Sequence, residues 1–409
     1  MRRVVISGLG AATVLGLELK QIEAALRSGQ SGITFCPEFE ARGFSSRVAG
    51  WMPEWNAAEI FDRRTLKNMG RGSEFTCYAA LQALEDSGLT ETDVQNERCG
   101  CIAGCGEGSA LDMFEAAYAM QKYNRPRRIG LRVPKTMASS RSANISFLIK
   151  NRGISLAISN ACASGLANVG YGYQVIRWGI QDVVFAGGGE SCDWAGSAFF
   201  DAMGVLPDRF NDDPSAASRP FDRDRNGFVM GEGGGVVVLE ELQHALSRGA
   251  PIYGEIAGYA TNCDGGYSMV APSEEGQAGC IRQVLREAGM RPEDIDYINT
   301  HGTSTVAGDP SEIAAIRSVF QKCSPMLTST KSQIGHTIGA AGAIELIASL
   351  IMMNQSFIAP SINLVNLDPA CQYGNIITQA KDVSFESFMT NNFAFGGSNA
   401  SMIVRKYQG

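Results

Sequence analysis

The stretch Ile154-Ser-Leu-Ala-Ile-Ser-Asn-Ala-Cys-Ala-Ser-Gly-Leu-Ala167 joins a short apolar run, a polar turn and the small-residue start of a helix. The stretch Met326-Leu-Thr-Ser-Thr-Lys-Ser-Gln-Ile-Gly-His-Thr-Ile-Gly-Ala-Ala-Gly342 has the same order. Upstream of each lies another strand-like segment that enters a glycine-bearing loop, at 101–108 and at 297–302. Because the order is shared although the residues are not, the sequence predicts two like halves.

Short apolar segments alternate along the chain with stretches that carry apolar residues at helical spacing. We predict strands at 3–7, 100–103, 154–158, 182–186, 236–239, 252–256, 297–299 and 326–328. We predict helices at 18–28, 71–87, 166–178, 275–288, 310–320 and 340–353. Strands that alternate with helices form parallel sheets covered by helices, so the fold class is α/β. The break at Arg248-Gly-Ala-Pro251 divides the chain into halves at 1–248 and 249–409.

The composition excludes several classes of protein. The 409 residues are 44% hydrophobic and 19% charged, and 47 are glycine, which is typical of an ordered, glycine-rich α/β enzyme. A formal charge of −7 argues against a general binder of nucleic acid or of anionic membranes. No apolar run approaches the ~18 residues of a membrane-spanning helix, and residues 1–10 are typical of a strand entering a turn. We therefore expect a cytoplasmic protein.

The number and context of the cysteines indicate that they are reduced and do not form a disulfide framework. Eleven cysteines occur in a long chain without a secretory signal, which is typical of reduced core residues. Cys99, Cys101 and Cys105 are close in sequence, but no further histidine or cysteine nearby completes four ligands. We expect no zinc site there.

Only three histidines occur, and two of them lie in polar, glycine-bounded turns. His301 belongs to Asn299-Thr-His-Gly-Thr-Ser-Thr305, and His336 ends Lys331-Ser-Gln-Ile-Gly-His336. Cys162 lies in a matching turn at the predicted start of a helix, where the helix dipole and free amides favour the thiolate. Taken singly, Cys162 could be a packing residue and each histidine an ordinary turn residue. Their combination favours covalent acyl chemistry.

Two further features have open interpretations. Asn391-Asn-Phe-Ala-Phe-Gly-Gly-Ser-Asn399 could bring backbone amides close to a substrate, or could be a turn at the end of a sheet. Two basic clusters are explained either by a solvated face or by docking of an acidic protein partner. They comprise Arg63, Arg64, Lys67 and Arg71, and Lys122, Arg125, Arg127, Arg128, Arg132 and Lys135.

Over essentially its whole length the chain resembles the β-ketoacyl-acyl carrier protein synthases, condensing enzymes of the thiolase fold, and most of all the type I and II elongation synthases. The motifs that carry this resemblance are Asn160-Ala-Cys-Ala-Ser164, His301-Gly-Thr-Ser-Thr305 with Gly308-Asp309 and Glu312, Lys331 to Gly342, and Phe393 to Asn399. The resemblance implies a thiolase-like fold, in which two similar βαβαβαββ halves form a five-layered α-β-α-β-α core.

The resemblance also implies a role for each matched residue. Cys162 would carry the acyl chain as a thioester, while His301 and His336 would bind the malonyl thioester and help its decarboxylation. Backbone amides of Cys162 and Phe395 would hold the tetrahedral oxyanion, and Lys331 paired with Glu312 would set the field around His336. The implied gate residues are Phe393, Ala394, Phe395 and Gly396. Thr303 and Thr305 would contact the phosphopantetheine arm, with Phe228 among the substrate-binding residues.

The family resemblance implies a carrier protein and no bound cofactor. Phosphopantetheine arrives on acyl carrier protein, so no metal, nucleotide or flavin is required. That carrier is strongly acidic, and the implied docking residues are Arg63, Arg64, Lys67, Arg127 and Arg132. Relatives are dimers, so we expect a homodimer, with a heterodimer with a chain-length factor as the alternative. No nucleic-acid or membrane partner is expected.

The chain departs from the fatty-acid pattern near the implied acyl pocket and at the gate. Glu107 occupies a site where relatives have glycine or a small apolar residue, and Gly196 and Phe199 replace other types in the helix that shapes the same pocket. A buried carboxylate against an alkyl chain costs several kcal/mol unless it is paired or protonated. The pocket therefore either suits a polar-ended, unsaturated or aryl-primed chain, or Glu107 meets a basic side chain in the dimer interface. Ala394 stands where glycine is usual, which restricts positive φ.

Several functions remain open from the sequence. The leading one is fatty acid elongation, and the runner-up is the ketosynthase subunit of a type II polyketide or aryl polyene system. A non-catalytic chain-length partner is disfavoured by the retained Cys162, His301 and His336. A degradative thiolase would use a second catalytic cysteine, and a cysteine hydrolase would leave one histidine loop unexplained.

Overall fold

The computed structural model describes residues 1–266 and 268–409. The strands are β1 (Val4–Ala12), β2 (Thr34–Phe35), β3 (Val48–Ala49), β4 (Cys99–Gly104), β5 (Ser155–Leu156), β6 (Val183–Glu190), β7 (Gly233–Glu241), β8 (Gly254–Cys263), β9 (Tyr297–Asn299), β10 (Met326–Thr328), β11 (Phe357–Ile358), β12 (Lys381–Asp382), β13 (Ser387–Ala394) and β14 (Ser398–Arg405). The α-helices are α1 (Leu19–Ser28), α2 (Pro37–Ala41), α3 (Arg63–Leu66), α4 (Arg71–Ser87), α5 (Glu91–Val94), α6 (Ala110–Tyr123), α7 (Val133–Thr136), α8 (Ser140–Ile149), α9 (Ser164–Arg177), α10 (Trp194–Ala202), α11 (Leu242–Ser247), α12 (Glu274–Ala288), α13 (Gly308–Phe320), α14 (Lys331–Ile334) and α15 (Ala341–Asn354).

The main sheet repeats one strand order in its two halves. Within the described residues it has ten strands, in the order β10-β9-β13-β14-β8-β1-β7-β6-β4-β5. Counted along the chain, each half follows the spatial order third, second, fourth, fifth, first. In each half the second strand pairs in parallel with the third and fourth, and the fifth is antiparallel to the fourth and first. The predicted βαβαβαββ halves are confirmed, but the sheets are mixed and not wholly parallel.

Helices cover both outer faces of the sheet and fill the space between its two halves. On one side α4 packs against β1, β6 and β7, and α8 packs against α4 and β4. On the other side α12 packs against β8 and β14, with α13 beside it. Between them, α9 contacts β4 and β6 of the first half and β14 of the second, and α15 contacts β7 and β13. This is the five-layered arrangement that the resemblance implies.

The middle layer explains why residues 154–167 and 326–342 are rich in small side chains. A side chain at Gly342 would lie 2.6 Å from Leu166 Cβ and 2.2 Å from Asn392 Oδ1, and one at Gly165 would lie 2.9 Å from the Gly339 carbonyl. Because α9 and α15 approach this closely, glycine is required at the crossing. The close crossing brings the N-terminal ends of both helices, which carry the candidate site, next to each other.

The chain passes from one half to the other after α11, and we propose the division at 1–248 and 249–409. The halves meet where β1 pairs with β8, through Val5 opposite Glu255 and Ile6 opposite Gly254. None of the described helices combines the length and the apolar character needed to cross a membrane.

Candidate active site

Cys162 lies in a strained turn between β5 and α9. Ala161 has a φ of +46°, in the left-handed region, which costs a non-glycine residue about 1–3 kcal/mol. Ser164 holds the turn, since its Oγ accepts the Asn160 backbone N–H at 2.8 Å and donates to the Ala161 carbonyl at 2.6 Å. The side chain of Cys162 is thereby held at the wall of a cavity, only 8% exposed.

The structure brings Cys162, His301 and His336 together. The Cys162 sulfur and a ring nitrogen of each histidine lie within 4.8 Å of one another. The two imidazole rings meet edge to face, with centroids 5.3 Å apart, and the Phe228 ring packs edge-on against His336 at 5.3 Å. His301 follows β9, and His336 follows α14. The third histidine, His244, does not belong to this cluster. Its ring instead forms an ion pair with Glu240.

Burial governs the protonation of the three groups. Burial raises the pKa of the Cys162 thiol to about 12, although Lys331 and the backbone N–H groups of Phe395 and Cys162 oppose that rise. Backbone amides at the helix end do favour the thiolate, but the expected thiolate is not formed, because desolvation outweighs them. Burial, together with the Lys331 charge, holds the pKa of His301 and His336 well below the usual range. Two neutral imidazoles thus stand beside a protonated thiol, so the proton passes to an imidazole only as the sulfur attacks an acyl carbonyl and not beforehand.

The predicted ion pair between Lys331 and Glu312 is wrong. The Lys331 ammonium bonds to Glu345 on α15, and the other oxygen of Glu345 accepts the side-chain N–H of Asn392 at 2.8 Å. Glu312 instead accepts the backbone N–H groups of His301 at 2.9 Å and of the following glycine at 2.8 Å. Glu312 therefore positions the His301 loop, and the Lys331–Glu345 pair supplies the charge near both imidazoles.

Sequence reasoning missed three residues of this site. These are Glu345, Asn392 and Glu190, whose carboxylate accepts the backbone N–H groups of Gly106 at 2.5 Å and of Gly339 at 3.1 Å. Glu345 had a usable signal, because it is an isolated carboxylate in an otherwise apolar helix, and such a charge requires a partner. Glu190 had none, since it ends a strand in which only tertiary packing selects its contacts.

The gate stretch is the turn of a β-hairpin between β13 and β14. Phe393 and Ala394 end β13, and Phe395–Gly397 forms a 3₁₀ turn. Ala394 has φ −105° and ψ 156°, an extended conformation, whereas Gly396 has φ +83°. Alanine at position 394 therefore does not strain the backbone, because the residue that needs a positive φ is Gly396.

A cavity of about 370 Å³ leads to the three groups from the surface. It is lined by Cys162, His301, His336, Phe228, Thr303 and Thr305, and by Phe393, Ala394 and Phe395 of the gate. Thr303 and Thr305 hydroxyls lie 3.0 Å apart. Glu107, Gly196 and Phe199 are not part of this lining, and Phe199 is 70% exposed on α10. The roles of Phe199 and Gly196 in shaping an acyl pocket therefore stay predictions.

Glu107 and Gly196 fit one another. A side chain at Gly196 would lie 2.3 Å from Glu107 Oε2, so the glycine makes room for the carboxyl. Glu107 Oε1 is buried and has no hydrogen-bond partner among the described residues. Burial, with Glu190 and Asp193 nearby, raises the pKa of Glu107 to about 9, so this group is protonated at neutral pH. Only when it is ionised does Glu107 also raise the pKa of the Cys162 thiol.

The predicted docking residues differ in availability. Arg63, Arg64 and Lys67, on and just after α3, are exposed, and so is Arg127. Arg132 bonds to Asp112 at 2.5 Å and to Glu115 at 2.7 Å. The charge of Arg132 is therefore already paired within the chain. The other four residues are the ones whose positive charge is exposed to a partner.

A buried thiol that can pass its proton to a neighbouring imidazole can take an acyl group from a thioester, which defines a thiol acyltransferase. Residues 1–245 match the family described as "Beta-ketoacyl synthase, N-terminal domain", and residues 253–365 match "Beta-ketoacyl synthase, C-terminal domain". The chain belongs to the β-ketoacyl synthase family, whose members are condensing acyltransferases of thiolase-like fold.

Curated relatives match along the whole chain. "3-Oxoacyl-[acyl-carrier-protein] synthase 1" of Haemophilus influenzae is 44% identical, with 100% of both chains covered, and that of Escherichia coli K12 is 43% identical, with 99% of both covered. A β-ketoacyl synthase from Burkholderia phymatum superposes with a TM-score of 0.94 at 35% identity over 100% of both chains. The ishigamide ketosynthase/chain length factor gives 0.92 at 33% identity over 99% of both chains. A type II polyketide synthase acyl-carrier protein in complex with its ketosynthase gives 0.90 at 29% identity over 100% of both chains.

Proposed function

We propose that the protein lengthens acyl chains in fatty acid elongation, by condensing an acyl group held on Cys162 with malonyl-acyl carrier protein. The observation that carries this proposal is the meeting of the Cys162 sulfur with two neutral imidazoles within 4.8 Å. The full-length similarity to 3-oxoacyl-[acyl-carrier-protein] synthases supports the same reaction.

The first step loads the enzyme. The Cys162 sulfur attacks the carbonyl carbon of an acyl thioester, while its proton passes to an imidazole nitrogen. The carbon–sulfur bond to phosphopantetheine then breaks, and the carrier thiol leaves with a proton. The backbone N–H groups of Cys162 and Phe395 both act on the Cys162 sulfur, which supports their use as donors to the oxyanion of this step.

The second step forms the new bond. Malonyl thioester loses carbon dioxide, and the electrons of the broken carbon–carbon bond form an enolate. His301 and His336, as neutral donors, stabilise the negative charge on the enolate oxygen. The enolate carbon attacks the thioester on Cys162, the carbon–sulfur bond breaks, and the departing thiolate takes up a proton from solvent. The products are a β-ketoacyl thioester on the carrier and free enzyme, so neither metal nor redox cofactor enters the balance.

The substrates arrive on a carrier protein. The phosphopantetheine arm is part of that carrier, so the enzyme needs no cofactor of its own. Thr303 and Thr305 hydroxyls on the cavity wall suit the amides of that arm. The exposed charges of Arg63, Arg64 and Lys67 suit an acidic carrier surface. We place the reaction in the cytoplasm.

We propose that the protein is a homodimer. β5 is the edge strand at one end of the main sheet, and Leu156 on it is 41% exposed. No residue of α6 is buried, although the helix carries Met113, Phe114 and Tyr118. An exposed strand edge and a helix with exposed apolar side chains are both surfaces that a second copy would cover.

Glu107 lies outside the cavity lining but close enough to Cys162 to affect its pKa, and we propose that an acyl chain extending past Cys162 reaches it. Glu107 would then select acyl groups whose far end carries a hydrogen-bonding group. A protonated carboxyl both donates and accepts, and its Oε1 lacks a partner in the described chain. An alkyl end would leave that oxygen unpaired, at about 1–3 kcal/mol.

A second function, the ketosynthase subunit of a type II polyketide or aryl polyene system, is favoured by this polar group and by the similarity to the ishigamide ketosynthase/chain length factor. In that case the edge of β5 would be covered by a chain-length partner. Co-purification from the native cell distinguishes the two. A second subunit lacking the nucleophilic cysteine supports the polyketide pathway, and a single chain supports the homodimer.

The proposed reaction is tested by intact mass measurement after exposure to acyl carrier thioesters, followed by product analysis with malonyl carrier protein. We expect one acyl mass on Cys162, none on Cys162→Ser, and a β-ketoacyl thioester as product. Cys263→Ser, which removes an exposed thiol, is the matched control and should be acylated normally. Acyl mass on another residue would overturn the mechanism, and release of free acid would make the protein a hydrolase.

A further inference from the structure

The Cys162 sulfur and the ring nitrogens of His301 and His336 form a compact set of one sulfur and two nitrogen donors. All lie within 4.8 Å of one another, and all three side chains are buried. They come from three separate segments of the chain, so the set exists only in the folded protein. The condensation reaction uses these atoms as nucleophile and hydrogen-bond donors, which leaves open what else the set can bind.

The imidazole nitrogens are free of competing bonds. Among the described residues, His301 Nδ1 and both nitrogens of His336 are buried without a hydrogen-bond partner. A histidine committed to structure usually spends at least one nitrogen on a carboxylate or carbonyl. Here the two rings meet at an interplanar angle of 86°, with no carboxylate bonded to either. Their lone pairs are therefore available to a ligand in the cavity.

One thiolate and two imidazoles are donors that Zn²⁺ prefers, and three protein ligands with one open position are typical of reactive zinc sites. Zinc–sulfur and zinc–nitrogen bonds of about 2.3 and 2.0 Å in a tetrahedron place the donor atoms about 3.3–3.6 Å apart. Donor atoms now up to 4.8 Å apart need to close by about 1.2–1.5 Å, which requires rotation of the three side chains about their torsions. The ion can enter through the cavity of about 370 Å³.

The charge around the set does not exclude a cation. Lys331 is the positive charge that acts on all three groups. Its ammonium is bonded to Glu345, which offsets part of that positive charge. Exchange of the thiol proton for the metal also replaces a neutral thiol by a thiolate, which offsets one charge of the ion.

We propose that Cys162, His301 and His336 bind one Zn²⁺, and that the bound ion blocks acylation. Binding forms one zinc–sulfur and two zinc–nitrogen bonds, releases the thiol proton to solvent and leaves a water at the fourth position. No oxidation or reduction takes place. The acyl thioester and the ion compete for the same sulfur, so each excludes the other, and a chelator restores the free thiol.

Titration of the purified full-length protein with Zn²⁺ against a chromogenic competing chelator tests the site directly. We expect one ion per chain, and at least a hundredfold weaker binding in Cys162→Ser. The matched control Cys263→Ser should bind as the unaltered protein does, because Cys263 is an exposed thiol outside the set. Protein whose Cys162 has first been acylated should also lose the ion, which repeats the test without a substitution. X-ray absorption should give one sulfur neighbour and three nitrogen or oxygen neighbours, the third being the water.

Acylation is then followed by intact mass with and without the ion. We expect at least a tenfold slower gain of acyl mass with one equivalent of Zn²⁺ and full recovery after chelation. Equal binding by Cys162→Ser, or acylation at an unchanged rate in the loaded protein, would overturn the inference. Neither result affects the proposed condensation, which is measured in metal-free protein.

Discussion

Glu345→Gln should destabilise the protein more than any exposed charge change, because it leaves a buried ammonium without its counter-ion. The Lys331 and Glu345 side chains are 2% and 3% exposed. Breaking a buried pair by removing one partner costs about 3–5 kcal/mol. At about 2.1 cal/mol/K per residue, the 409 residues have an unfolding entropy of about 0.9 kcal/mol/K, so the Tm should fall by about 3–6 °C.

The same substitution should slow condensation. The Lys331 charge lowers the pKa of both site imidazoles, and Glu345 fixes where that charge lies. Loss of such a supporting contact typically costs 10–100-fold, by analogy with the outer-shell partners of metal ligands. Calorimetry at a fixed scan rate measures the Tm, and release of carbon dioxide from malonyl carrier protein measures the condensation.

Two comparisons make this prediction refutable. Glu287→Gln breaks the more exposed pair with Arg177 and should lower the Tm by no more than about 1 °C, because such pairs contribute about 0–1 kcal/mol. The double variant Lys331→Met with Glu345→Gln should regain much of the lost stability, since no unpaired charge remains. The reasoning fails if Glu345→Gln behaves like Glu287→Gln, or if the double variant is as unstable as the single one.

Further predictions follow from three other contacts. Since the pKa of Glu107 is raised to about 9 from its ordinary 4.5, the folded chain loses stability as pH rises between these values. The Tm advantage of Glu107→Gln over the unaltered chain should therefore be larger at pH 8 than at pH 5. Replacing Arg63, Arg64 and Lys67 together by Glu should raise KM for acyl carrier protein about tenfold, and less at high salt, while the kcat stays near normal. Gly342→Ala should cost about 1–3 kcal/mol in urea unfolding, because the added methyl meets neighbouring atoms at 2.2 and 2.6 Å.

Controls for these predictions lie in the same chain. Arg132→Ala, which breaks an intrachain ion pair, should affect the KM less than the triple reversal does. Gly374→Ala places its methyl 4.0 Å from the nearest atom and should be close to neutral. With Glu107→Gly, extension of ω-hydroxyacyl carriers should fall relative to alkyl carriers. Fastest extension of ordinary saturated chains, unchanged by that substitution, would contradict the proposed selectivity.

Strong periodicity made several elements predictable. The helix at 71–87 and the strands at 297–299 and 326–328 are found at the predicted residues. β13 and β14 were missed, because Thr390, Asn391 and Asn392 resemble a loop in sequence. They are buried in a central strand, where sheet bonding satisfies the polar backbone, and Asn391 accepts the Ser401 hydroxyl at 2.8 Å. α6 was also missed. None of its residues is buried, so its sequence lacks the pattern of buried apolar residues by which a helix is recognised.

By itself, the sequence determined that the chain has two like halves, and that Cys162, His301 and His336 lie in polar turns bordered by small residues. Local composition is enough for this, because turns and helix starts depend on neighbouring residues. Tertiary structure alone decided that Lys331 pairs with Glu345 and that burial keeps the Cys162 thiol protonated. Both follow from burial. Desolvation and the crossing of α9 and α15 depend on segments far apart in the chain, and no local pattern records them.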